Sequence, residues 1–188
     1  MSKPQPPATI VLTSGGIDSA CLLALCGQDS RSVEALFVDY GQAARAHESL
    51  AACRLAACLG ARRSHLTLNG MTFGPGEIVG RNAFLAHVAL LAMRGRAGRV
   101  FMGIHAGTGY RDCSPDFAEL IQRSYDFHAD GRVQFVVPFL DRAKAEVYGY
   151  AQRLNVPLDL TYSCERGVEP PCGTCRSCLD REVLGETA

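Results

Sequence analysis

The run Ser14-Gly15-Gly16-Ile17-Asp18-Ser19 sits between two apolar stretches and combines residue types that suit an anion. A glycine pair at a strand-to-helix turn lets backbone N–H groups point at a phosphate, and the helix N-terminus adds favourable partial charge. The hydroxyls of Ser14 and Ser19 can donate to phosphate oxygens. Asp18 cannot face a phosphate directly, so a carboxylate here calls for Mg²⁺ between it and the oxygens. The bland reading of the same residues is a capped β–α turn.

Three other segments are chemically dense. "VDYGQ" carries Asp39, Tyr40 and Gly41, of which Asp39 reads equally as a solvated strand end and Gly41 as a turn residue. "VGRN" offers the planar fork of Arg81 to a phosphate or carboxylate, while Asn82 by itself reads as a helix N-cap. "GIHAGTGYRDC" holds Tyr110, whose ring can stack on a base, and Asp112, which can accept two N–H donors from a guanine-like edge. Cys113 closes that segment with His105 as its only nearby base, and reads first as a buried thiol. Lys144 alone is a routine surface lysine, and His47, His65, His87 and His128 show no partner pattern.

The strongest metal signal is the crowding of Cys164, Cys172, Cys175 and Cys178 near the C-terminus, in a chain of nine cysteines. Four thiolates at CxxC spacing suit tetrahedral structural zinc, with every position filled and no water activated. An iron–sulfur cluster is the rival, because CxxCxxC occurs in ferredoxin-like runs. Those runs usually end in Cys-Pro, whereas Leu179 follows Cys178. "MSKPQPPA" is polar and proline-rich with no apolar h-region, so the expectation is a cytoplasmic protein whose thiols stay reduced.

The elements that must position these residues follow from periodicity. Apolar runs at 8–13, 33–41, 99–105 and 133–139 read as strands, and 63–68 alternates like a further one. Helical text fills 17–28, 43–60, 82–98, 115–129 and 141–156, with Asp141 a fair N-cap and Gly60 a C-cap. Five strand–helix alternations predict an α/β fold, a Rossmann-like doubly wound five-stranded parallel sheet, whose ligands bind at the carboxyl ends of the strands. The organisation expected is a flexible tail at 1–8, an ATP-binding α/β domain at 9–160 and a zinc-binding segment at 161–188. The 188 residues contain 19 basic and 19 acidic side chains, so no global charge favours nucleic acid or an anionic membrane. No apolar stretch approaches the roughly 20 residues of a membrane span.

"SGGIDS" is similar to the signature loop of the PP-loop ATP pyrophosphatases, of the HUP type. With "DYGQ", "GRN", "GYRDC", "KAE", "TYSC" and "PCGTCRSC", the chain from about residue 9 to 181 resembles the 7-cyano-7-deazaguanine synthases, the QueC-type branch. The resemblance implies that ATP adenylates the carboxylate of 7-carboxy-7-deazaguanine, that ammonia gives the amide, and that a second ATP drives dehydration to the nitrile. It implies ATP and Mg²⁺ at Ser14, Gly15, Gly16, Asp18 and Ser19, with Asp39, Tyr40, Gly41 and Asn82 around the nucleotide. Asp18, Arg81 and Lys144 would carry the chemistry, and Tyr110, Asp112 and Cys113 would border the deazaguanine. Structural Zn²⁺ and a homodimer are also implied.

Two departures stand out. Alanines follow "YGQ" where the family has Arg and His, and the substrate loop is about two residues shorter with Arg111 for Pro. Adenylation with transfer to a protein or other amine, as in QueC-like antiviral defence proteins, is therefore an alternative. A tRNA-modifying PP-loop enzyme is a second, against which the neutral charge counts, and a degenerate nucleotide-binding or zinc-dependent interaction module is a third.

Overall fold

The computed structural model of the chain describes residues 7–29, 32–105 and 108–185. Of the tail expected over 1–8, residues 1–6 lie outside the described residues and Ala8 is the first residue of a strand.

Five strands, β1 (Ala8–Leu12), β2 (Val33–Asp39), β3 (Arg62–Thr67), β4 (Gly98–Phe101) and β5 (Val133–Val136), form one parallel sheet in the order β3-β2-β1-β4-β5. Every residue of β1 is buried, as a central parallel strand covered on both faces requires. Its side chains alternate between two cores. Ile10 and Leu12 pack with α3 (Arg81–Ala92) and α4 (Pro115–Ala129) through Ala86, Ala89, Ile121 and Tyr125. Val11 points the other way, into a core shared by α1 (Ile17–Asp29), α2 (Arg45–Cys58) and α5 (Lys144–Arg153). Each large aliphatic side chain buried there contributes about 1.5–3 kcal/mol.

Two successive crossovers, through α1 and α2, carry the chain outward from β1 to β3. The next, through α3, leaps back across the sheet to β4, beside β1. The connections leaving β1 and β4 thus diverge, and a crevice opens at the carboxyl ends of these two strands. The chain closes with a 3-10 turn (Leu158–Leu160) and α6 (Arg176–Val183).

Several boundaries differ from the pattern-based expectation. α3 begins one residue earlier than expected and stops at Ala92, short of Gly98, because Arg94 and Gly95 take the left-handed conformation. β4 ends at Phe101, which leaves Met102–His105 as a loop under the crevice. Asp141 is not an N-cap. α5 starts three residues later, where the Glu146 carboxylate accepts from the Ala143 N–H at 2.8 Å and occupies the end of the helix.

Candidate active site and metal centre

The crevice encloses about 330 Å³ and gathers Ser14, Gly16, Asp18, Ser19, Tyr40, Arg81, Asn82, Tyr110, Asp112 and Lys144 from five separate elements or loops. Of the residues expected in the site, Gly15, Asp39, Gly41 and Cys113 do not line it.

At the end of β1, the Ser19 hydroxyl donates to the Gly16 carbonyl at 3.0 Å, and Ser14 Oγ lies 3.5 Å from the Gly16 N–H. Gly15 has φ 83°, and a Cβ there would sit 2.7 Å from Ala51 Cβ and 2.8 Å from the Glu48 carbonyl oxygen. Only glycine lets α2 back so closely onto the loop. Its part is therefore positional.

Lys144 opens α5 and places Nζ 2.5 Å from Asp18 Oδ2. The two side chains are only 25% and 21% exposed, so this charge-assisted bond holds both groups against the crevice floor. The other oxygen, Asp18 Oδ1, is buried and accepts no hydrogen bond from any described residue. A buried anionic oxygen without a donor is costly. A hard cation beside it removes that cost, so the donor chemistry fits Mg²⁺.

Asn82 is not the N-cap. Gly80, with φ 80°, holds that place, and Asn82 is 2% exposed inside the first turn of α3. Its Oδ1 accepts from Arg81 Nε at 3.2 Å, and its Nδ2 reaches the Asp112 carbonyl at 3.5 Å. Asn82 thereby ties the guanidinium of Arg81 to the "GYRDC" loop. In that loop Tyr110 faces the crevice, with the guanidinium of Arg176 over its ring at 5.6 Å from the centroid. Cys113 packs beside the α3–α4 core, where burial pushes its thiol above the ordinary value.

Asp39 Oδ1 accepts from the Gly41 N–H at 3.0 Å, a local turn. Gly41 has φ 89°, and the Met71 carbonyl oxygen lies 1.9 Å from where its Cβ would be, so a glycine is obligatory there. Both residues shape the exit from β2. None of His47, His65, His87 and His128 lines the crevice; His47 stacks on Tyr162 at 4.7 Å.

Cys164, Cys172, Cys175 and Cys178 converge, with all four sulfurs within 4.8 Å of one another. Zn–S bonds of about 2.3 Å in a tetrahedron put sulfurs roughly 3.8 Å apart, so this spacing suits one ion. The thiolates of an iron–sulfur cluster, several ångströms across, stand further apart. Backbone N–H groups already point at sulfur: Cys172 N at 3.4 Å from Cys164 Sγ and Cys175 N at 3.3 Å from Cys172 Sγ. Within the cluster, donors from Thr174 bring the Cys172 thiol down to about 6, while burial pushes the Cys178 thiol up to about 12.

Three groups at the site were not singled out by sequence reasoning. Glu48, in the first turn of α2, lines the crevice and accepts from Gln42 Nε2 at 2.9 Å. Its only sequence signal was a glutamate following "YGQ" in the resembled family. Gly103, beyond β4, lets the strand end pass Asp18, whose Cβ would be 3.2 Å from an added Cβ. Arg176, Ser177 and Asp180 of α6 wall the crevice, with Ser177 N and Oγ donating to Glu165 at 3.2 and 2.8 Å. Cys175 is the N-cap of α6, so the cysteine cluster sets where this wall begins.

A family model described as queuosine biosynthesis protein QueC matches residues 8–75 and 73–184. A 7-cyano-7-deazaguanine synthase of Prochlorococcus marinus (strain MIT 9303) is 34% identical, with 93% of this chain and 91% of that one covered. One of Synechococcus sp. (strain RCC307) is 33% identical, covering 93% and 92%. Among solved structures, NMN synthetase from Francisella tularensis is similar at TM-score 0.54 and 15% identity over 96% of this chain and 78% of that one, a likeness of fold.

Proposed function

The chain belongs to the QueC family, and from that premise we propose that it is an ATP-dependent carbon–nitrogen ligase of 7-deazaguanine chemistry. It adenylates the carboxylate of 7-carboxy-7-deazaguanine, joins it to ammonia as the amide, and converts the amide with a second ATP to 7-cyano-7-deazaguanine. The observation that carries this reading is the crevice itself. It brings the "SGGIDS" loop and the Asp18–Lys144 pair to one opening with Tyr110 and Asp112, which supports a phosphate subsite beside one for a guanine-like edge.

A carboxylate is a poor electrophile, and making it an acyl adenylate supplies AMP as leaving group. A carboxylate oxygen attacks the α-phosphorus of ATP, and the bond to the departing pyrophosphate breaks. Lys144 neutralises charge on the phosphates, and the "SGGIDS" backbone cradles the leaving pyrophosphate. Mg²⁺ at Asp18 Oδ1 would neutralise the same oxygens. Tyr110 stacks on the deazaguanine, Asp112 accepts from its N–H edge, and Arg81, steadied by Asn82, holds the reacting carboxylate. Zn²⁺ at the four cysteines would fasten α6 and is not part of the reaction.

Transfer to a larger amine is a second reading, favoured by Ala43 and Ala44, which line the crevice beside Gln42 with only methyl groups. One incubation separates the two. The protein is given ATP, Mg²⁺ and 7-carboxy-7-deazaguanine, with and without ammonium, and products are identified by mass spectrometry. Amide and nitrile with ammonium are expected. AMP with an adenylated or protein-linked deazaguanine and no nitrile would favour the larger amine, and no AMP in any arm would overturn both.

A further inference from the structure

Amide formation needs more than an activated acyl group, because ammonium near neutral pH is almost entirely protonated and carries no lone pair. Something in the crevice must take a proton before nitrogen can attack. The acidic side chains lining the crevice are mostly committed elsewhere. Asp18 is bonded to Lys144, Glu165 caps Ser177, and Asp112 lies beside Tyr110, where the ring of the substrate is expected. Glu77 and Asp180 also line the opening, but Glu48 is the carboxylate held there by a neutral amide, its Oε2 accepting from Gln42 Nε2.

Glu48 is also held in a deliberate way. Gln42 is 6% exposed, its Oε1 accepts from the Tyr40 N–H at 3.0 Å, and its Nε2 donates to the Val38 carbonyl at 3.2 Å. These two backbone contacts lock the amide, so the remaining Nε2 proton is aimed at Glu48 Oε2, 2.9 Å away. One carboxylate oxygen is thereby pinned while the residue fronts the crevice. The charged neighbours are Arg81 from α3 and Asp39 from β2, which act in opposite directions. Burial outweighs them and raises the affinity of this carboxylate for a proton, which suits a base.

We propose that Glu48 is the catalytic base of the transfer half-reaction, accepting a proton from the incoming ammonium or alkylammonium. The inference rests on the adenylation reading above. The Glu48 carboxylate takes one proton and frees the nitrogen lone pair. The lone pair forms the C–N bond at the acyl carbon, and the C–O bond to AMP breaks, with AMP keeping the electron pair. The second proton leaves the nitrogen to water as the adduct collapses to the amide.

The full-length protein and Glu48→Gln are compared in three assays at neutral pH. These are deazaguanine-dependent exchange of pyrophosphate into ATP, amide formation from ammonium, and hydroxamate formation from hydroxylamine, a nucleophile already neutral there. General-base loss predicts amide formation reduced roughly 10²–10⁴-fold. Exchange should stay within about threefold, and hydroxamate formation should be largely spared. Amide formation within about fivefold of the parent overturns the proposal. So does loss of exchange, or a parallel fall in amide and hydroxamate, since each means that Glu48 builds the site rather than moving a proton. Should Glu48→Gln fail to fold by circular dichroism, Glu48→Asp carries the test. It must keep exchange and lose amide formation more than hydroxamate formation. Absence of exchange in the parent protein would instead sink the adenylation reading itself, a distinguishable failure.

Discussion

Two side chains at the crevice floor answer to different forces. Asp18 keeps one oxygen on Lys144 and one without a partner among the described residues, which a hard cation would satisfy. Lys144→Ala should lower pyrophosphate exchange by about 10²–10³-fold, as loss of a preorganised charge on transferring phosphate does. Its circular dichroism spectrum should stay that of the parent. Asp18→Asn should flatten the dependence of ATP binding on Mg²⁺, read by calorimetry with and without the metal. Glu48 carries a stability cost that can be measured separately. Its folded-state pKa is raised by burial, so the folded form holds more protons than the unfolded one between the two values. Stability from this group is present below the ordinary carboxylate range and lost as pH rises through the raised pKa. Glu48→Gln should therefore melt at or above the parent temperature at neutral pH, and the difference should shrink on acidification. A variant that is at least as stable yet defective in transfer is what a functional, buried carboxylate predicts.

Helix ends and the cysteine cluster decide how the elements hold the loops. Ser114 caps α4 by accepting from the Phe117 N–H at 3.3 Å, and its own hydroxyl donates to the Arg111 carbonyl at 2.8 Å. It therefore fastens the end of the "GYRDC" loop as well as the helix. Ser114→Ala should cost about 0.5–2 kcal/mol, near 2–4 °C of melting temperature per kcal/mol at this chain length. The Kd for the deazaguanine should weaken more than that for ATP. The C-terminal segment is anchored to the "SGGIDS" loop by Tyr162 N–H donating to the Gly15 carbonyl at 2.9 Å, and is tied to itself by Arg181 donating to Thr161 Oγ1 at 2.9 Å. α6 depends on Cys175 and Cys178 for its first turn. If the cysteines hold zinc, chelation should loosen the backbone around the already exposed Arg166 and Arg176 and admit trypsin there while the sheet stays resistant, because structural zinc contributes folding energy outright. Deazaguanine binding should fall with it, since Arg176, Ser177 and Asp180 wall the crevice.

At the scale of the whole molecule, the parallel sheet places the "SGGIDS" loop, the "GYRDC" loop and α6 around one opening, so a ligand bound there would link binding to global stability. ATP with Mg²⁺ at about 100 times its Kd should stabilise the fold by about 2.7 kcal/mol, some 5–10 °C for a domain of this size, with a smaller shift without Mg²⁺. Among the described residues no helix is long and apolar enough to cross a membrane. Much of this architecture is legible in the sequence. Apolar runs of β-branched residues mark β1 and β2, the glycine pair marks the turn into α1, and the cysteine spacing marks a tetrahedral site, because each depends on neighbours along the chain. What the chain order leaves open is who meets whom across the sheet. Asn82 looks like a cap and proves to be a brace between Arg81 and Asp112. Glu48 has no motif of its own, and Arg176 lies amid cysteines yet fronts Tyr110. Those meetings depend on the leap from β3 across to β4 and on the return of the last segment over Gly15. Such contacts join residues far apart in sequence, and no local periodicity encodes them. Local patterns determined which chemistry the chain carries; the crossovers decided which groups share the crevice.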